Sequence, residues 1–214
     1  MKNEKEVEAY LTYNYVKQGG EHSYHPICAS GKDACILHYI TNNKELKRGE
    51  LLLIDSGAEL FGYKTDISRT FPLSGKYTKR QKEVYDAVLR VQDFAIKELK
   101  IGSTKKEYER AVRGFLAKEL LKLKVITEED YRKNPLEATL AIYPHSTGHH
   151  LGLDTHDLST YEIPLTEGML VTVEPGIYLK NEGISIRIED DILITKKGPV
   201  NLSKNIPKKI EEIS

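Results

Sequence analysis

Apolar positions recur in two periods along this chain, and the changes of period divide it into blocks. Val7, Tyr10, Leu11 and Val16 follow a rough helical spacing that Gly19 and Gly20 end, which predicts a first helix. A loop with short extended pieces runs on through His25 and Pro26 to Ser30 and Gly31. Residues 34–40 read as an apolar strand, Arg48 and Gly49 as a turn, and 51–55 and 62–71 as further strands. Thr78 and Gln81 form a capping-box pair ahead of Val84, Val88, Val91, Ala95 and Leu99, which line one face of a long helix. Thr104 and Glu107 open a second, with Tyr108, Val112, Phe115, Leu116, Leu120 and Leu123 on its face, and Thr127 starts a short third. Strand and turn patterns return across 145–156, 169–179 and 184–195. Strands segregated from helices predict an α+β fold. With no linker or internal repeat, one domain spanning 1–214 is expected.

Charge narrows the function classes. Lysine plus arginine equals aspartate plus glutamate, at 32 each, so no basic excess points to nucleic acid or an anionic membrane surface. No apolar run approaches the ~20 residues of a membrane span, and the charged N-terminus lacks a signal-peptide core. Two cysteines, Cys28 and Cys35, read as free thiols, and a cytoplasmic location is expected.

Candidate chemistry appears where carboxylates interrupt apolar strands. Asp55 ends the run Leu51-Leu52-Leu53-Ile54, and Asp66 lies eleven residues on. A hairpin turning near Leu60 and Phe61 would set the two face to face, about 5 Å apart at Cβ. Glu174 follows Leu170-Val171-Thr172-Val173, and Glu189 follows Ile184-Ser185-Ile186-Arg187-Ile188. A turn at Asn181 and Glu182, with Gly183 supplying φ > 0, would oppose them in the same way. A single strand carboxylate is ordinarily a surface residue. Two facing pairs flanked by apolar residues repel unless a cation lies between them.

Histidines add to this. His145, His149, His150 and His156 fall within twelve residues, among glycines at 148 and 152 that allow close backbone approach, and His38 joins them if the fold brings it there. Imidazole can ligate metal, shuttle protons or donate to an oxyanion.

These residues lie in segments that resemble a known family. Leu53-Ile54-Asp55-Ser56-Gly57, Asp66-Ile67-Ser68-Arg69-Thr70-Phe71-Pro72, residues 145–157, Val173-Glu174-Pro175-Gly176-Ile177-Tyr178 and Arg187-Ile188-Glu189-Asp190 occur in order. Together they are similar to the signature blocks of the aminopeptidase P and prolidase group, over about residues 5–200. The resemblance implies a pita-bread fold, a curved antiparallel sheet with helices on its outer face. It implies two divalent ions, manganese first and cobalt, iron or zinc next, held by Asp55, Asp66, His149, Glu174 and Glu189. Asp66 and Glu189 would bridge the ions and Asp55 would bind one bidentately. It further implies Glu174 as general base, His38, His145 and His156 facing the substrate, and Arg187 and Tyr178 supporting the ligands.

The implied reaction cuts the bond between an N-terminal residue and a following proline, with a peptide as partner and a homo-oligomer compatible with the fold. A dipeptidase acting on Xaa-Pro alone, or a non-catalytic piece that binds a peptide or protein, are the alternatives. The chain departs from the family at its start. It is expected to lack the family's N-terminal domain and to open at what resembles the second catalytic-domain helix, so that one side of the sheet is expected to lose its cover. The connections 157–168 and 179–183 also read as short.

Overall fold

Capping chemistry places the helices where the threonines predict them. In the computed structural model, which describes residues 1–159 and 162–213, the Thr78 hydroxyl accepts from Gln81 N while the Gln81 side chain accepts from Thr78 N. Thr104 with Glu107 and Thr127 with Asp130 repeat the arrangement, so each helix start satisfies donors that would otherwise be orphaned. The connection 157–168, expected to be short, lies partly outside the described residues.

In chain order the elements are α1 (Glu4–Lys17), β1 (Glu21–His22), β2 (Ile27–Ser30), a 3-10 turn (Gly31–Cys35), β3 (Leu51–Ser56), β4 (Ala58–Leu60), β5 (Tyr63–Lys64) and β6 (Ile67–Pro72). Then come α2 (Lys79–Glu98), α3 (Lys105–Lys122), α4 (Glu128–Lys133), α5 (Glu137–Leu140), β7 (Leu170–Val173), β8 (Gly176–Leu179), β9 (Ile184–Arg187), β10 (Asp190–Thr195), β11 (Gly198–Asn201) and α6 (Ile210–Ile213). Every named strand pair is antiparallel. No helix among the described residues is long and apolar enough to cross a membrane.

Residues 34–40 depart from the predicted strand. Gly31, at φ +57, opens a 3-10 turn, and Tyr39 N donates back to the Ile36 carbonyl. The segment joins none of the named sheets. The segment is therefore pinned by side chains, with Ala34 and Tyr39 buried and Ile36 and Ile40 exposed. On α1 only Val7 of the expected apolar positions is buried, packing with Cys28 and Leu52, and Tyr10 and Val16 face solvent.

Strand parity separates core from site. Val171, Val173, Ile186 and Ile188 join one cluster with the predicted α2 and α3 faces. Val84, Val88, Val91, Ala95, Val112, Leu116 and Leu120 are all fully buried there. Because alternate residues point to opposite faces, Thr172, Glu174, Arg187 and Glu189 are turned away from the helices. Strands β6 and β9, which belong to different sheets, are tied at Thr70, whose hydroxyl donates to the Arg187 carbonyl and accepts from Arg187 N.

Candidate metal centre

Hairpin register delivers the carboxylates. In the second hairpin, β8–β9 and β7–β10 share one register centred between Asn181 and Glu182, so Glu174 and Glu189 stand opposite each other, as expected, with Gly183 at φ +64 in the turn. They fall between the two ladders, where strand hydrogen bonding lapses. The fully buried amide of Gln92, on α2, fills that lapse by donating to the carbonyls of Val173 and Ile188, the residues just before each glutamate. In the first hairpin the turn lies one residue later than predicted, at Phe61 (φ +54) and Gly62 (φ +83). Asp55 therefore faces Ser68 rather than Asp66. Asp66 lies two residues from Ser68, and the period of two keeps it on the same face.

Asp55, Asp66, His149, Glu174 and Glu189 all line one cavity of about 390 Å³, together with His38, His145, His156 and Arg187. Single ligand atoms from Asp66, His149 and Glu189 lie within 4.8 Å of one another. Glu174 approaches from beside them, 3.6 Å from His149 Nε2 and 3.4 Å from His145 Nδ1. Tyr178 stands behind the wall, and His150 borders a small apolar hollow next door.

Burial governs the electrostatics. It raises Asp55 to about 6, against Arg187 and with help from Asp66. It raises Glu174 to about 7 although His149 and Arg187 pull the other way. Glu189 is pushed well above the carboxylate range by burial and by its acidic neighbours. For His149, burial disfavours the charged ring, but Asp66 and Glu174 outweigh it and raise its pKa. The cation among these groups is Arg187, which donates to Asp55 Oδ2 (2.5 Å), Ser68 Oγ (2.8 Å) and Tyr178 Oη (3.0 Å).

The histidine tautomers follow from their partners. The His150 carbonyl can only accept, so His149 holds a proton on Nδ1 (3.0 Å) and presents Nε2 to the carboxylates. That is how a metal-ligating histidine is usually oriented. Likewise the Ser146 carbonyl takes the His145 Nδ1 proton (2.9 Å), and Nε2 accepts from the Tyr178 hydroxyl (2.7 Å). Burial, with Arg187 and Arg113 adding to it, drops His145 to about 3 and keeps it neutral. Clustered buried carboxylates and one imidazole with a free lone pair are a donor set for divalent metal, and the chemistry of the cavity wall fits such an ion.

Sequence reasoning missed several contributors. The Tyr24 hydroxyl is shared between Asp55 Oδ1 and Asp66 Oδ1, from a loop without periodic signal. Ser68 donates to Glu189 (2.7 Å), and its i+2 relation to Asp66 could have revealed it. Asp191 accepts from Asp66 N, and burial lifts it to about 8. Glu109 and Arg113, paired on α3, grip the histidine segment: Glu109 accepts from Thr147 N, and Arg113 donates to the carbonyls of Tyr143 and His145.

Gly148 shows how tightly that segment is held. A Cβ there would meet the Thr172 carbonyl oxygen at 2.0 Å, while His149 and Thr172 are joined across the same gap. Gly148→Ala is expected to cost about 2–3 kcal/mol and about 5–10 °C in thermal midpoint. It is also expected to weaken metal binding, since His149 moves with its neighbour. Thermal unfolding and a manganese titration check both.

Comparison with known proteins agrees with this geometry. Residues 1–196 match metallopeptidase family M24. The Xaa-Pro aminopeptidase of Escherichia coli is 37% identical over 98% of this chain and 51% of its own length. Xaa-Pro aminopeptidase 3 of Dictyostelium discoideum is 41% identical over 99% of this chain and 42% of its own. Among solved structures, aminopeptidase PepP of Pseudomonas aeruginosa superposes with a TM-score of 0.93 at 37% identity, over 99% of this chain and 51% of its own. An alanine-substituted E. coli aminopeptidase P in complex with substrate gives 0.92 at 37% identity, with the same coverage. The chain spans about half the length of these relatives and carries their pita-bread fold. With its M24 match, its fold and a metal-donor cavity in agreement, this chain belongs to metallopeptidase family M24.

Proposed function

We propose that this chain is the catalytic part of an Xaa-Pro aminopeptidase, releasing the first residue of a peptide whose second residue is proline. One observation carries the reading. Four buried or half-buried carboxylates and His149 converge on a cavity whose remaining wall supplies three further histidines and an arginine. The names of its relatives support the proline-directed substrate.

Asp55, Asp66, His149, Glu174 and Glu189 would hold two divalent ions, and an oxygen-rich set with one imidazole suits manganese best, with cobalt, iron or zinc next. Bound there, the ions would supply Lewis acidity and a water acidic enough to ionise near neutral pH. The protein's part is proton handling and orientation. We assign Glu174 the proton of the attacking water and its return to the leaving proline nitrogen. His145 has committed its N–H to Ser146, so it orients rather than donates. His38 and His156 line the cavity without such a bond among the described residues, and we assign them the developing oxyanion. Arg187 and Tyr178 hold Asp55 and His145 in place. Two free thiols, Cys28 and Cys35, favour a cytoplasmic setting.

The test is amino-acid release from Xaa-Pro peptides of two, three and five residues with manganese present. Release from the longer peptides supports the aminopeptidase. Action on the dipeptide alone supports a dipeptidase, and metal uptake with no cleavage supports a binding role.

Metal uptake should depend on pH with a fixed sign. Asp55 (about 6), Glu174 (about 7), Glu189 and His149 all have raised pKa values, so ions must displace protons from them in weakly acidic solution. Apparent manganese affinity is expected to climb from pH 5.5 to 7.5, by about tenfold per pH unit for each proton displaced. Calorimetry in two buffers of different ionisation heat counts the protons. A flat affinity with no proton release would contradict the assigned ligands.

A further inference from the structure

We propose that a groove beside the catalytic cavity is the subsite for the C-terminal remainder of the peptide, and that it selects acidic residues there. This rests on the aminopeptidase reading. The groove encloses about 570 Å³ and borders the cavity, with Lys105, His145 and Ser146 lining both. Its apolar lining includes Leu140, half-exposed, and Pro144.

Its charge comes from one helical face. Lys106, Glu109, Arg110 and Arg113 stand at i, i+3, i+4 and i+7 of α3 and all line the groove. Glu109 and Arg113 are paired at 2.7 Å and engaged with the histidine segment. The nearby acid Glu107 is turned to its helix cap, where it accepts from Thr104. Lys106 and Arg110, both exposed, together with Lys105 at the helix start therefore set the sign of the groove. The five carboxylates on the cavity wall next to it, Asp55, Asp66, Asp157, Glu174 and Glu189, stand among Arg187, Lys105 and the proposed ions and do not line the groove. A peptide whose N-terminal residue occupies the cavity turns the anionic groups of its remainder toward α3. Acidic side chains past the proline, or the terminal carboxylate of a short peptide, fit the cationic face, while apolar stems lie along Leu140 and Pro144.

The experiment compares pentapeptides of the form Xaa-Pro-Gly-Zaa-Gly, with Zaa aspartate or lysine, on the manganese-loaded chain and on the Lys106→Glu/Arg110→Glu variant. The wild type is expected to favour aspartate by about fivefold in kcat/KM, mostly through KM, and the preference should shrink between about 20 mM and about 500 mM salt. The variant should invert the preference while cleaving an Xaa-Pro amide, which has no charge beyond the proline, at the wild-type rate, which controls for folding. A variant with normal cleavage of that amide and an unchanged aspartate-to-lysine ratio overturns this inference alone. If the wild type cleaves no Xaa-Pro substrate, the aminopeptidase reading falls and this inference falls with it.

Discussion

Glu189→Gln is expected to abolish metal-dependent hydrolysis, a loss of at least about a thousandfold, while leaving the metal-free fold nearly unchanged. The two halves of that expectation have separate causes. Burial and the acidic neighbours hold Glu189 well above the ordinary carboxylate range, so without metal its side chain is in the acid form near neutral pH. Glutamine has the shape of that acid and can still accept from Ser68, whose hydroxyl lies 2.7 Å from Oε2. The backbone anchors are untouched, since Glu189 N donates to the Ser68 carbonyl and Arg69 donates to the Glu189 carbonyl.

What glutamine cannot do is release a proton and face Asp66 and His149 as an anion. Manganese should therefore raise the thermal midpoint of the wild type and leave that of the variant in place, because only a ligand bound to the native state stabilises it. Ser68→Ala is the graded control, with about a 10–100-fold loss of metal affinity expected for a partner one bond removed from the ligand. Wild-type turnover by Glu189→Gln at matched manganese would remove Glu189 from the ligand set.

The ease of reading these residues from sequence varies for physical reasons. Glu174 and Glu189 could be paired in advance because Gly183 marks the turn, and the register it sets runs unbroken through both ladders. Hairpin arithmetic puts Asp55 and Asp66 on one face, where they lie, but opposes them to each other, whereas Asp55 faces Ser68. Phe61 adopts a left-handed conformation that a phenylalanine does not advertise, so the turn fell one residue late. Helix starts were legible because a threonine hydroxyl three residues before a glutamine or glutamate satisfies donors locally.

The apolar run at 34–40 misleads because Gly31 turns the chain into a 3-10 segment just ahead of it, and the run is held by side-chain burial rather than by a ladder. Gln92 was invisible for a different reason. On its helix it is one polar residue at a buried position, and its role exists only where two distant strands lapse at the same level. Tyr24 likewise acts through contacts 31 and 42 residues away in the chain.

Arg187→Met should be the most destabilising single change in the site, by about 3–5 kcal/mol, the cost of leaving one partner of a buried ion pair alone. For a chain of 214 residues that is about 10 °C in thermal midpoint. Arg187 is 4% exposed and its guanidinium serves Asp55, Ser68 and Tyr178 at once. Methionine keeps the volume and loses every donor. The pH dependence has a definite sign. Asp55 has a folded pKa raised to about 6, so the stability it contributes is present below its unfolded value and is lost as pH rises through 6. Arg187 is what keeps that value from climbing further, and without it the acid form is favoured over a wider range. The deficit of the variant should therefore be smallest at acidic pH, where Asp55 carries its proton, and grow above pH 6. Adding Asp55→Asn removes the stranded charge as well, and the double variant should recover part of the lost midpoint at neutral pH in a double-mutant cycle. Strict additivity of the two substitutions would show that Arg187 acts through Ser68, Tyr178 and packing rather than through an ion pair with Asp55.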